Sequence, residues 1–231
     1  MSLADLSWHR LQPAPFRAIT TMPTTSIWSY QGLPTIFGHP TCDDDGVCPM
    51  TDVVQFDPVA NEWSSIGNLN EPTLWNAFIE VPASFCLGLE APEDKKKPPV
   101  VPNENKTSII RKTERDSDSV ALIIGGLDLG YEGSGPAAST AFVELYGCDG
   151  GRNPVSPFPA RVRETAATYV PADGNEVDYV LVCGGYQCPR SDPGCLDLSG
   201  DCYAWFPSTN AWEPAESLVQ PRRDHILVQV C

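Results

Sequence analysis

The chain carries two copies of one pattern. Phe56 to Trp63 reads FDPVANEW and Trp205 to Trp212 reads WFPSTNAW, sharing an aromatic, a Pro two residues on, an Asn at the sixth place and a Trp at the eighth. The agreement continues past each Trp without a gap: Leu69 and Leu218 fall six residues on, Pro72 and Pro221 nine residues on. Self-similarity over this length marks an internal repeat. A repeat restricts the fold strongly, because each unit must bury its apolar surface against the next.

Upstream of each aromatic lies a short apolar run ending in glycine, LPTIFGH (Leu33 to His39) and DYVLVCGG (Asp178 to Gly185), and VALIIGG (Val120 to Gly126) is a third. Short β-branched runs bounded by Gly, Asp and Pro read as strands rather than helices. The first glycines stand at 38, 125 and 184, intervals of 87 and 59. Glu90 to Ser119, EAPEDKKKPPVVPNENKTSIIRKTERDSDS, interrupts the first interval; it holds all five lysines and four prolines with little apolar periodicity, and reads as a disordered, solvated insertion. Without its thirty residues the first interval is 57, so the period is nearly constant. A unit of that length holds about four strands.

Composition supports this. Of 231 residues, 42% are hydrophobic, enough for a core, while 23 Pro and 18 Gly disfavour helices and point to an all-β chain. Fifteen Lys+Arg against 30 Asp+Glu give a net charge of -15 and a pI of about 4.4. The insertion is balanced, seven of each sign, so the folded part carries the whole excess. Such a surface excludes nucleic acid held by counterion release and selects a basic protein partner. No apolar run of 18 residues occurs, so no membrane span is expected.

Nine cysteines, clustered in Gly/Pro/Asp-rich loops, favour oxidising surroundings, hence an extracellular or secretory-pathway location, with the cytoplasm as the alternative. The start MSLADLSWHRL shows no export signal, which is reconciled if the true N-terminus lies upstream of Met1. Asn105, in the triplet Asn105-Lys106-Thr107, is a glycosylation acceptor in that setting.

A strand ending in Gly-Gly, then a strand with an aromatic, then Trp after six residues, then Pro-Arg, resembles the kelch repeat of β-propellers. The last copy matches best, through Gly184, Gly185, Trp205, Pro207, Asn210, Trp212, Leu218, Pro221, Arg222 and His225. The first keeps Gly38, Phe56, Pro58, Asn61, Trp63, Leu69 and Pro72, with His39 for the second glycine and Thr73 for the arginine. The middle copy has Gly125, Gly126, Tyr146 and Arg163 and lacks the tryptophan. The cysteine-rich loops are similar to those of extracellular kelch proteins of invertebrates. The resemblance implies a kelch-type propeller of about three to four four-stranded blades, and the chain length divided by the period makes it a partial one: a tail of a preceding blade at 1–25, blades at 26–75, 76–163 (with the insertion at 90–119) and 164–223, and the first strand of another at 224–231. The glycine-ending runs are then the inner strands of the blades, and the tryptophans fill the space between them.

The same alignment implies disulfides. Placing Gly38 on Gly184 puts Cys42 opposite Cys188 and Cys48 near Cys195, so Cys42–Cys48 and Cys188–Cys195 are the expected bridges; Cys183 and Cys202 are the next candidates, and Cys86, Cys148 and Cys231 stay unassigned.

Enzyme signatures are lacking. His9, His39 and His225 fall at no metal-ligand spacing, and CDDDGVC (Cys42 to Cys48) lacks the alternation and distal Glu of a calcium loop, so no metal or other cofactor is expected. No phosphate loop or G-x-S-x-G elbow is present. The expected function is protein–protein binding by loops on one propeller face, with self-association as a further way to cover exposed edges. The alternative is an enzyme like the copper-radical oxidases that use a kelch-like propeller, which needs Tyr, Cys and His around a metal.

Overall fold

The computed structural model describes residues 27–39, 51–89, 119–128, 138–148, 155–173, 177–188 and 196–228. In chain order the strands begin with β1 (Trp28–Tyr30), β2 (Leu33–His39), β3 (Asp52–Asp57), β4 (Glu62–Asn68) and β5 (Ala77–Pro82). They continue with β6 (Ser119–Ile124), β7 (Leu127–Asp128), β8 (Ala138–Ser139), β9 (Val143–Tyr146) and β10 (Arg161–Arg163). The last are β11 (Ala166–Val170), β12 (Tyr179–Cys183), β13 (Tyr186–Cys188), β14 (Cys202–Phe206) and β15 (Ala211–Ala215). The described residues form antiparallel sheets with no α-helix; one 3-10 segment, Ala83–Leu89, follows β5.

Three main sheets follow one another along the chain: β1-β2-β3-β4, then β5-β6-β9, then β11-β12-β14-β15. Each is a meander, the topology that short sequential strands with tight turns adopt at least entropic cost. The middle sheet has three strands among the described residues, not four. Two small pairs, β7-β8 and β10-β13, sit beyond the glycine pairs.

The glycine-ending runs are strands, but not the first of their sheets. β2, β6 and β12 are each hydrogen-bonded on both sides, with β1, β5 and β11 preceding them. The sequence hid those first strands because they are short or mixed in polarity: WSY, AFIEVP and AATYV. Ser119, assigned to the insertion, instead opens β6 opposite Pro82; the rest of the insertion, 90–118, lies outside the described residues, as do 1–25. Among 224–228, the described part of the expected further strand, no strand forms.

Side-chain alternation explains the stacking. In β6, Val120, Leu122 and Ile124 join a core with Val180, Val182 and Trp205 of the third sheet. Ala121 and Ile123, pointing the other way, join Tyr30, Phe37 and Val53 of the first. The middle sheet is thus buried on both faces between its neighbours, and for this reason β6 reads as an unbroken apolar run.

The repeated hairpins fold alike. Trp63 lies opposite Phe56, and Trp212 opposite Trp205, across four-residue loops. Asn61 and Asn210 close those loops at φ 56° and 50°. Asn tolerates that left-handed region better than other side-chain-bearing residues, which is why it recurs at the sixth place of the pattern.

Two disulfides join described residues, Cys86–Cys148 and Cys183–Cys202. The second links directly opposed residues of β12 and β14. The first, which the sequence left unassigned, ties the 3-10 segment before the insertion to the end of β9, 62 residues on. Cys188 is also disulfide-bonded; Cys42, Cys48, Cys195, Cys231 and Asn105 lie outside the described residues.

Candidate functional site

The glycine-pair ends of the sheets meet the loops that open the following unit, and these contacts repeat. The N–H of Gly126 donates to Val162 O and the N–H of Gly185 donates to Arg222 O, both at 2.8 Å. Trp75, Glu164 and Asp224 all take positive φ, between 50° and 53°. They form a backbone chain: Glu164 N–H donates to Trp75 O at 3.0 Å, and Asp224 N–H to Glu164 O at 3.3 Å. One step along the repeat therefore maps each contact onto the next. These contacts set Val162, not Arg163, level with Arg222; the arginine level with Arg163 is Arg223.

Around this chain gather all four Lys or Arg side chains of the described residues, Arg161, Arg163, Arg222 and Arg223. Glu164, almost buried, takes an ion pair from Arg223 at 2.8 Å and a weaker one from Arg163 at 4.0 Å. The hydrogen bond to Glu164 raises the Arg223 guanidinium above its ordinary pKa. Tyr186 lies between the two arginines, 4.5 Å from Arg163 and 5.1 Å from Arg223, so both cations face its π-cloud. Arg163 Nη1 also donates to Ser139 Oγ, and Arg161 Nη1 to Ser139 O at 3.2 Å. Burial, helped by Arg222, lowers the pKa of His225, whose ring nitrogens are buried with no hydrogen-bond partner among the described residues. This arrangement clamps consecutive units and supplies no nucleophile paired with a base. Among the described residues no group of three His, Cys, Asp or Glu is placed to hold a metal ion.

The residues singled out from sequence fall at corresponding places. Gly38, Gly125, Gly126, Gly184 and Gly185 all have positive φ. Tyr146 lies opposite Ala121 and Trp205 opposite Val180, each partner four residues before the first glycine of its run. Phe56 follows Gln55, the partner of Thr35, and so holds the matching place in the first sheet. Trp63 and Trp212 are half-buried; Trp212 stacks edge-on against Phe158, ring centroids 4.8 Å apart, and its Nε1 donates to Ser156 O at 2.9 Å. Pro221 and Arg222 are exposed. Sequence reasoning missed Ser156, Phe158, Glu164 and Tyr186. Phe158, fully buried, stands in the proline-rich run PVSPFP, whose composition reads as loop. Glu164 stands level with Trp75 and Asp224, and Tyr186 follows its glycine pair as Leu127 does, so neither residue type recurs along the repeat.

A second polar group sits in the seam between the first two sheets. Glu144 is buried, and its carboxylate accepts the Asn70 N–H at 2.9 Å. Burial raises its pKa, and nearby Glu71 adds to the rise. Beside it the Tyr146 hydroxyl donates to Ile66 O at 2.9 Å, and burial pushes its pKa up to about 12. Because the folded-state pKa of Glu144 exceeds the unfolded one, its stabilising contribution is full at low pH and is lost as pH rises through the folded value. Burial works against the charged form of this carboxylate. Glu144→Gln keeps an oxygen for Asn70 and removes that charge, so its Tm should exceed wild type at pH 7 by about 2–4 °C per kcal/mol gained. The two should converge near pH 3; equal Tm values at both pH values would refute the assignment.

No helix among the described residues is long and apolar enough to cross a membrane. In comparisons with known proteins, no protein-family model matches the chain, and no curated protein matches it.

Proposed function

We propose that the chain is a kelch-type β-propeller, built of about three blades in the described part, that serves as a protein-binding scaffold. The observation that carries the reading is the step-wise repetition of the contacts between sheets, from the Trp75–Glu164–Asp224 backbone chain to the paired glycines. Equal head-to-tail steps between successive four-stranded units are how a propeller is assembled.

The described residues that flank 40–50, 129–137 and 189–195 lie at the glycine end of the sheets, His39 pairing with Asp52, Asp128 with Ala138 and Tyr186 with Leu198. Segments that connect the strands of a rigid scaffold are suited to recognition. Their sequences contain Asp43, Asp44, Asp45, Glu132 and Asp192 against a single basic residue, Arg190, which favours a basic partner. The disulfides Cys86–Cys148 and Cys183–Cys202 fit an extracellular or secretory-pathway location, where such bridges persist.

The test is a binding screen of the full chain, made in a secretory host, against immobilised basic and acidic peptides. Binding to basic peptides that weakens steeply with salt, and that is lost when 189–195 is replaced by Gly/Ser of equal length, is the expected result. Equal binding to both peptide classes, or binding indifferent to that replacement, would overturn it. Stoichiometric copper in the purified protein would favour the oxidase reading instead.

A further inference from the structure

The middle sheet carries a covalent strap across one end. β6 lies between β5 and β9; Pro82 pairs with Ser119 on one side, and Ala121 with Tyr146 on the other. Cys148 stands two residues past Tyr146, as Ser119 stands two before Ala121, so Pro82, Ser119 and Cys148 are level. From Pro82 the chain turns through the 3-10 segment, sets Phe85 into the core beside Val120 and Trp205, and bonds to Cys148 through Cys86. The two strands that flank β6 are thus tied to each other across its first residues.

The strap joins the parts of the chain that precede and follow 90–118. Ala77, Val81 and Phe85 before that connection share one core with Val120, Leu122, Ile124 and Trp205 after it. Tyr30, Phe37, Val53 and Phe78 share the other with Ala121 and Ile123. Six register pairs, from Ala77–Ile124 to Pro82–Ser119, run between the same two parts, and the buried Thr73 Oγ1 donates to Gly125 O at 2.7 Å. None of these contacts passes through the connection. A chain cut there would keep them all, and the Cys86–Cys148 bond would keep the association intramolecular, at an effective concentration that separate chains lack.

We infer that the Cys86–Cys148 strap, not the connecting chain, fastens the two parts, and that the protein persists as a disulfide-linked two-chain molecule once a lysine-directed protease opens the connection. The sequence makes that cut selective. All five lysines, Lys95, Lys96, Lys97, Lys106 and Lys112, fall between Leu89 and Ser119, whereas the described residues contain arginine but no lysine. Opening is hydrolysis: the peptide C–N bond after a lysine breaks, and water gives its OH to the carbonyl carbon and its proton to the new amine. The strap takes no part in that step, and its disulfide stays oxidised. Nothing in it depends on the binding role proposed above.

Digestion of the native, non-reduced full chain with a lysine-specific endoprotease tests it. Electrophoresis should show one species of near-full mass without reductant and two after dithiothreitol, and the cut protein should keep the urea midpoint of the uncut one. Cys86→Ser with Cys148→Ser removes the strap. Uncut, that variant should retain the wild-type circular dichroism and a midpoint independent of protein concentration. Cut, its midpoint should drop and fall further on dilution, because unfolding then separates two chains. Should the variant not fold, the wild-type digestion decides by itself. Resistance of the native chain to the protease, a lowered midpoint in the cut wild type, or chains that stay linked in the cut variant would overturn the inference.

Discussion

Trp205→Ala should cost about 3–5 kcal/mol, the range for removing a buried Trp or Phe without refilling the space. Trp205 is fully buried at the centre of the packing between the second and third sheets. Its ring meets Phe85 edge-on at 5.9 Å and Trp212 at 6.4 Å, and its Nε1 donates to Asn210 Oδ1 at 3.2 Å. Asn210 also accepts the Ser156 N–H at 2.9 Å, so the cavity would loosen the hairpin loop and the segment carrying Phe158 together. In a chain of this size such a loss lowers Tm by roughly 10 °C or more. Trp63→Ala, at a half-buried position, should cost less than half as much. Chemical denaturation of both variants checks the order; a loss under about 1 kcal/mol at Trp205 would mean that the two sheets do not pack as described.

Gly185→Ala should be comparably damaging, for a different reason. Gly185 has φ 79°, and a Cβ built on it would lie 2.5 Å from Arg163 O and 2.9 Å from Thr165 N. Both atoms are backbone, one at the end of β10 and one in the turn to β11, so neither can yield without disturbing the contact between successive units. Gly32 is the control. It shares positive φ, 74°, but nothing lies within 4 Å of its Cβ position. Gly32→Ala should therefore cost only the left-handed strain of about 1–2 kcal/mol. Gly185→Ala adds overpacking against backbone, about 1–3 kcal/mol more, and should leave little folded protein at 37 °C. Urea unfolding decides it: equal midpoints for the two variants would show that close approach is not what requires glycine at 185.

How much of this was legible from sequence depended on range. The strands β2, β6 and β12 are legible as apolar runs ending in glycine, and the repeat as Pro, Asn and Trp at fixed offsets from an aromatic. These are local features: backbone preference and alternation act over a few residues, and the chain writes them directly. The period, and with it the correspondence of Phe56, Tyr146 and Trp205, was legible because each unit solves the same packing problem.

Pairing across distance was not. The Cys86–Cys148 bridge joins residues that no spacing rule connects, and Cys183–Cys202 was only one candidate until β12 and β14 were seen to place the two cysteines opposite each other. The Arg163–Tyr186–Arg223 cluster draws on three separate segments and on Glu164 from a loop, so no local motif announces it. The sequence by itself determined the all-β character, the repeat and its punctuation by Gly, Pro and Asn, because those follow from sterics and hydrogen-bonding capacity residue by residue. Tertiary structure alone decided which strand leads each sheet, which charges meet and which side chains of each strand are buried, because burial depends on which surfaces the stacked sheets bring together.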